Sequence, residues 1–399
     1  MDYPIERSNR FIEYSLYLGC LLSNLSQLPL FVRSGLTQRL AFPGWILLAL
    51  AIFLSRRVTI RKTMLTQLGL GVVLIVWLLF DSLLVSKTQF SSSIFYSYMI
   101  SLFVFLLGAW SSDYIDARVL NNVNSIFMIT MLFITANIFV EYFGVGYNLA
   151  TRLYAYSSKN SVSQIIFTSI ILLIVRFKPE KTMGRLIKLA AIAFELYVIL
   201  LLRSRATLVS LILCVLVMAF ARDTNKKIKT AITLVGIGII VLLLTNNQFN
   251  NFIFNNVLFA GRNASNLNEL TSGRVNILSS FPSLISGNWL TGIGPTYYEC
   301  FPLSAILQFG IFGGLICIAI SLQPLLYSFR ARHYSDEWYL LLLIALGYSV
   351  NGLFEGLTPF GPGVKCYYMW LLFGILVGKP ASGVPTGKDN NNLWAEKYR

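Results

Sequence analysis

The chain has 399 residues, 56% of them hydrophobic and only 12% charged, and its 32 lysines and arginines against 17 acids give a net charge of +15. A composition this apolar, with repeated oily runs of about 18 to 20 residues, excludes an ordinary soluble domain and points to a polytopic membrane protein. Lipid offers backbone amides no hydrogen-bond partner, so these runs are predicted to be helices and the fold class is all-α.

In chain order, spans are predicted near 11–32, 41–54, 63–85, 93–112, 123–144, 162–177, 187–202, 206–220, 231–245, 302–329, 338–357 and 362–378, about 12 transmembrane helices in all. The first follows basic residues in "MDYPIERSNRFIEYSLYLGCLLSNL" with no small-residue cleavage site, and is expected to stay uncleaved. On this topology the termini and even-numbered loops carry more than twice as many lysines and arginines as the opposite loops. The positive-inside rule therefore assigns both termini and the loops "SRRVTIRK", "RFKPEKTMGR" and "ARDTNKKIKT" to the cytoplasm. The charge excess reads as a topology signal, so a nucleic-acid partner is not expected and membrane lipids are. No fixed-period repeat interrupts a single integral membrane domain over 1–399, which ends in a flexible cytoplasmic tail, 380–399.

Cys20, Cys214, Cys300, Cys317 and Cys366 show no CxxC spacing, and the lone His333 falls in the cytoplasmic loop "RARHYSDE". Neither a metal site nor a disulfide framework is expected, although Cys300 and Cys366 near the external side leave one bridge open.

From Leu186 to Phe220 the chain is mostly apolar for about 35 residues, or roughly 52 Å as one helix, too long for a hydrocarbon core of about 30 Å. It must turn back near Arg203, Ser204, Arg205 and Ala206, on the external side. The arms are short, which sets an arginine below the external headgroups, in a polar cavity. Positions i and i+2 of a helix diverge, so only one arginine faces inward if the region stays helical, and Arg205 is favoured. Ionisable residues at such depth are functional candidates, whereas Glu13, Glu141, Glu195 and Asp81 are expected to tie helices together or to lie near interfaces.

The one long loop runs over 246–301 and faces outward by the charge count. Ile277, Leu278, Phe281, Leu284 and Ile285 recur at helical spacing, which predicts a short amphipathic helix, or two broken near Pro282. Thr271 or Ser272 can cap a helix starting near Gly273, and Arg274 beside that N-terminus makes an anion site suited to phosphate. Glu299 follows at the rim, either as an ion-pair partner for the arginines or as a general base.

Taken in order, "SSKNSVSQI", "SRAT", "SGRVNI", "GIGP" and "PLSAILQFGIFGG" resemble the O-antigen ligase and polymerase superfamily of bacterial inner-membrane glycosyltransferases. The resemblance covers roughly residues 145–314. It implies a metal-independent, cofactor-free, GT-C-like enzyme whose large loop and active site face the periplasm of a Gram-negative cell. Undecaprenyl-pyrophosphate-linked oligosaccharide would be both donor and acceptor, and a flippase and a chain-length regulator of the same pathway would be partners. The ligase branch carries a His-Asn pair about eleven residues before a glycine that is followed by another three residues on. Gly310 and Gly313 fit the glycines, but the count back lands on Glu299, so the resemblance leans toward the polymerase branch.

On that reading Arg205 and Arg274 stabilise the pyrophosphate leaving group, with Arg203 and Lys159 in support, and Glu299 accepts the acceptor hydroxyl proton with inversion. Asn160, Asn276, Tyr297, Tyr298, Asn351 and Glu355 complete the expected substrate-binding set. Lipid A core ligation and lipid-linked oligosaccharide flipping are the alternatives.

Overall fold

The computed structural model describes residues 3–55, 58–85, 89–144, 159–220, 244–251, 274–361 and 363–379, with 230, 238 and 241 singly. Among them there are helices and turns and no strands. The helices are α1 (Tyr3–Leu25), α2 (Pro29–Arg33), α3 (Thr37–Leu54), α4 (Leu65–Val85), α5 (Ser93–Ser111), α6 (Ala117–Gly144) and α7 (Lys159–Val175). They continue with α8 (Thr182–Leu202), α9 (Arg205–Phe220), α10 (Arg274–Ile285), α11 (Phe301–Ala331), α12 (Asp336–Gly352) and α13 (Tyr367–Gly378), besides a short turn of helix at Asn247–Asn251. Among the described residues four segments, Lys62–Leu83, Ser93–Tyr114, Ala117–Glu141 and Phe301–Ala331, are long and apolar enough to cross a membrane, and Arg39–Leu54 within α3, α7, α9 and α13 are shorter apolar helices.

Several predicted spans come out differently: the helix expected over 338–357 ends at Gly352, that over 362–378 starts at Tyr367, and that over 302–329 breaks at Gly310. The first, expected over 11–32, stops at Leu25, turns through the buried Ser26 and Gln27, and restarts as α2 at Pro29. A proline has no amide hydrogen to give the preceding turn but suits the first helical position, so the chain breaks just before it. The ninth, 231–245, lies largely outside the described residues, as does most of the loop that follows it.

Helix α13 is apolar on every side, and all twelve of its residues are buried, as expected of a helix surrounded by others. It meets α5 backbone to backbone: a Cβ on Gly374 would lie 2.1 Å from the Phe105 carbonyl oxygen, and one on Gly108 would lie 2.5 Å from that of Leu371. Small residues permit this approach where lipid gives helices little other reason to associate.

The bundle separates its charges. At one end Arg176 pairs with Glu337 at 2.7 Å, Lys178 with Asp336 at 2.6 Å, Arg118 with Glu13 at 3.2 Å and Arg61 with Asp113 at 2.6 Å. Arg176 also donates to Asn121 at 2.6 Å, stitching α6 to α7 there. Exposed pairs add little stability, but they mark position. This end holds the chain segments read as cytoplasmic loops, and α7 and α12 carry the chain about 25 Å away from it to the opposite end.

That opposite end is organised by a break in α11. Gly310 has φ 70 and ψ −180, which interrupts the helix. In an unbroken helix Ile311 N–H would reach the Leu307 carbonyl. Here Ile311 N–H donates to Trp289 at 2.8 Å, and the Leu307 carbonyl accepts from Ile293 N–H at 2.7 Å. The Phe309 carbonyl takes the Trp77 indole N–H at 3.0 Å. The "GIGP" segment thus lies in the break, and the backbone groups freed there are satisfied by it and by α4. A Cβ on Gly310 would sit 1.7 Å from the Leu290 carbonyl oxygen, and one on Gly292 would sit 2.5 Å from that of Gln308.

Gly310→Ala is accordingly expected to lower stability by about 3 kcal/mol or more, combining the forbidden backbone region with the clash. Gly69→Ala, in α4 where a Cβ meets nothing within 4 Å, should be neutral or gain up to about 1 kcal/mol. Thermal unfolding of the two purified variants in detergent checks the contrast.

Candidate active site

Five chain segments converge at the end marked by the α11 break: the start of α7, the α8–α9 turn, the start of α10, the approach to α11 and the loop after α12. Buried polar contacts fix their relation. Thr168 of α7 and Tyr348 of α12 share a hydrogen bond of 3.0 Å. Asn351 of α12 donates to Ser210 of α9 and to the Gly347 carbonyl, both at 2.9 Å, and accepts from Thr207 at 3.4 Å. It is 1% exposed, so its amide is used inside the protein as a clamp between α9 and α12.

The α8–α9 turn also departs from expectation. Arg203 ends α8 in the left-handed region, φ 51 and ψ 41, so the chain is not helical between the two arginines. That turn buries Arg203, 4% exposed, while Arg205 opens α9 half-buried. The deeper arginine is therefore Arg203 and not Arg205, because the argument from helical divergence fails where the helix itself stops. Nε and Nη2 of Arg203 have no hydrogen-bond partner among the described residues. A buried guanidinium with open donors is costly unless an anion completes it.

Arg274 is the first described residue of α10, and the residues expected to cap it, Thr271, Ser272 and Gly273, lie outside the described set. The helix runs unbroken through Pro282. Its inner face, Phe281 and Ile285, packs on Tyr298 and Leu307, while Val275, Leu278 and Leu284 stay exposed. Arg274 Nη2 donates to the Phe354 carbonyl at 3.0 Å, its guanidinium lies 5.4 Å from the Phe354 ring centre, and Glu299 Oε2 is 3.7 Å away. The long loop is thereby tied to the segment following α12. Glu299 meets one of its two sequence expectations, that of an ion-pair partner, and its side chain keeps 43% of its surface in solvent.

Glu355 stands beyond the end of α12, next to Phe354. It accepts from Asn160 Nδ2 at 2.5 Å, and Asn160 Oδ1 accepts in turn from Ser204 Oγ at 3.4 Å. A continuous path of contacts therefore runs from the arginine turn through Ser204, Asn160, Glu355 and Phe354 to Arg274. Burial raises the Glu355 carboxyl above the usual range; the Asn160 hydrogen bond opposes this, Glu299 adds to it, and the charges of Arg274 and Lys365 oppose it. Ser161, Tyr297, Glu355, Leu357, Thr358 and Gly361 line a cavity of about 140 Å³. That is smaller than the roughly 300–1,000 Å³ of a site enclosing a whole drug-sized ligand, so it suits one group of a larger substrate.

Tyr297 borders the cavity, with its hydroxyl held by the Gly356 backbone and pushed up to about 12 by burial and by the nearby Glu355 and Glu299 carboxylates. Tyr298, 7% exposed, packs against Phe281. Lys159 and Asn160 open α7, and Asn276 is exposed on α10. Sequence reasoning misses Ser161, Thr358, Lys365 and the Phe354 carbonyl. Lys365 reads there only as a topological charge, and a backbone carbonyl has no sequence signal at all. No bridge joins Cys300 and Cys366, which are both free thiols, as are the other three cysteines.

Residues 189–354 match the family model described as O-antigen ligase. The matched stretch starts within α8 and ends after α12, enclosing Arg203, Arg205, Arg274 and Glu299 while leaving out Asn160 and Glu355. The match covers less than half of the chain and supports a likeness to the O-antigen ligase and polymerase superfamily. No curated protein matches the chain significantly.

Asn160→Ala should cost about 1–2 kcal/mol, the value of a hydrogen bond to a charged group. Asn160→Asp should cost more, because it sets a second carboxylate against Glu355. That excess should fade as pH falls through the carboxylate range and one of the pair takes a proton. Thermal unfolding of both variants between about pH 4 and 8 reads the difference.

Proposed function

We propose that the protein is an O-antigen polymerase, a glycosyltransferase that joins undecaprenyl-pyrophosphate-linked oligosaccharide repeat units at the periplasmic face of the inner membrane. The observation that carries this reading is the path of contacts joining Arg274, Glu299 and Asn160 to Glu355, which lines the cavity, at the bundle end opposite the Arg176–Glu337 and Lys178–Asp336 ion pairs, with Arg274 and Glu299 inside the family-matched stretch.

Breaking the bond between the anomeric carbon and the pyrophosphate leaves growing negative charge on the leaving group. Fixed guanidinium groups in a site of low dielectric stabilise that charge without reorganising as it develops. Arg203 offers two buried donors for it, Arg274 a guanidinium already oriented by Phe354, and Arg205 and Lys159 stand on the adjoining helix starts. Arginine suits this role because its planar fork matches phosphate oxygens. The acceptor is the terminal sugar of a second lipid-linked repeat unit, and attack on the face opposite the leaving group gives inversion. A flippase supplying the units and a chain-length regulator are the partners this reaction calls for.

The ligase alternative is weakened because Glu299 and Cys300 stand where the ligase branch would carry its His-Asn pair. Purified protein in vesicles, given lipid-linked repeat units and neither nucleotide nor metal, is expected to build long glycan ladders. Transfer only to lipid A core would instead mark a ligase, and transport without growth a flippase.

Arg203→Ala and Arg274→Ala are each expected to reduce ladder formation by about 100- to 1,000-fold, the usual loss for one oriented charge-stabilising donor. Arg274→Lys should also be impaired, since a point charge cannot hold the Phe354 carbonyl and a phosphate oxygen together. Gel analysis of radiolabelled glycan from correctly inserted variants measures these effects. Near-normal ladders from either alanine variant would remove that residue from the site.

A further inference from the structure

We propose that Glu355, and not Glu299, takes the proton from the attacking sugar hydroxyl; the inference rests on the glycosyl-transfer reading above. Three observations separate the two carboxylates. Glu299 is an ion-pair partner of Arg274, its Oε2 3.7 Å from the guanidinium. It also lines no described part of the cavity, whereas Glu355 does. Asn160 holds Glu355 from behind by a hydrogen bond of 2.5 Å, which fixes the carboxylate toward the space where a sugar hydroxyl would enter.

The groups around Glu355 come from several elements. Around Glu355 stand Asn160 from α7, Arg274 from α10, Tyr297 and Glu299 from the approach to α11, and Lys365 from the turn before α13. Burial is the largest influence on its carboxyl and acts upward, the direction that strengthens a carboxylate as a proton acceptor. Glu299 then acts differently, aligning Arg274 while the pyrophosphate is absent and yielding it when the anion arrives.

The chemical step balances. The acceptor oxygen forms a bond to the anomeric carbon as the bond from that carbon to the pyrophosphate oxygen breaks, and the breaking pair stays on the pyrophosphate. The hydroxyl proton passes to Glu355 and afterwards to water. The products are a longer lipid-linked glycan and free polyprenyl pyrophosphate.

The test uses the full chain in vesicles, with radiolabelled polyprenyl-pyrophosphate-linked oligosaccharide as the probe for both binding and turnover. Glu355→Gln, which still accepts from Asn160, is expected to lose at least about 100-fold in turnover while binding donor within about threefold of the unmodified chain. Unmodified turnover should fall as pH drops through a pKa above the ordinary glutamate range, and Glu355→Asp should keep that inflection with part of the rate. Glu299→Gln should weaken donor binding and hold turnover at saturating donor within about tenfold. The assignment is overturned if Glu355→Gln turns over within about tenfold of the unmodified chain, or if folded Glu355→Asp is as inactive as Glu355→Gln. In either case ladders from the unmodified chain leave the polymerase reading standing. Absence of ladders from the unmodified chain would overturn the polymerase reading and this assignment with it.

Discussion

The 2.5 Å hydrogen bond between Asn160 and Glu355 joins two parts of the chain that are 195 residues apart, and the arrangement of the site follows from it. A carboxylate withdrawn from water is tolerated only if it finds donors or positive charge. Asn160 supplies the donor, and Arg274 and Lys365 supply the charge. Asn160 in turn takes the Ser204 hydroxyl, so satisfying one acid also ties α7 to the arginine turn and the loop after α12 to both. This contact ties the cavity wall directly to α7 and, through Ser204, to the α8–α9 turn, beside the Thr207–Asn351 link between α9 and α12.

Two backbone irregularities make room for these contacts. Gly310 breaks α11 so that the "GIGP" segment can take the hydrogen bonds the helix gives up, which leads the chain carrying Tyr297 and Glu299 over the bundle end. Arg203 in the left-handed region lets α8 turn directly into α9 while sending its own guanidinium inward. A non-glycine residue in that region costs about 1 kcal/mol or more and persists where its surroundings demand it.

The division of polar groups within the bundle has a physical logic. Asn351, Thr207, Ser210, Thr168 and Tyr348 satisfy one another inside the helix packing, where an open donor would weaken the fold. Arg203 differs from these, with two donors unmet among the described residues. Polar side chains that close on themselves act as scaffold between the helices.

Composition and periodicity were enough to determine the membrane class, the helical fold, the turn at Arg203 to Arg205, the amphipathic α10 and the charge separation between the two ends. Each depends on local hydrophobicity or on counting charges, and lipid enforces both. Pairing Arg274 with Glu299 was also within reach, because both lie in one loop. What only the tertiary structure decided is which polar residues share a space. Arg203 was buried ahead of Arg205 by a local break, Asn351 became a clamp, Tyr298 became core, and Glu355 reached the cavity through an amide far away in sequence. A one-dimensional pattern records how polar a residue is; whether its hydrogen bonds close within the protein or open onto a ligand depends on neighbours that the pattern does not contain.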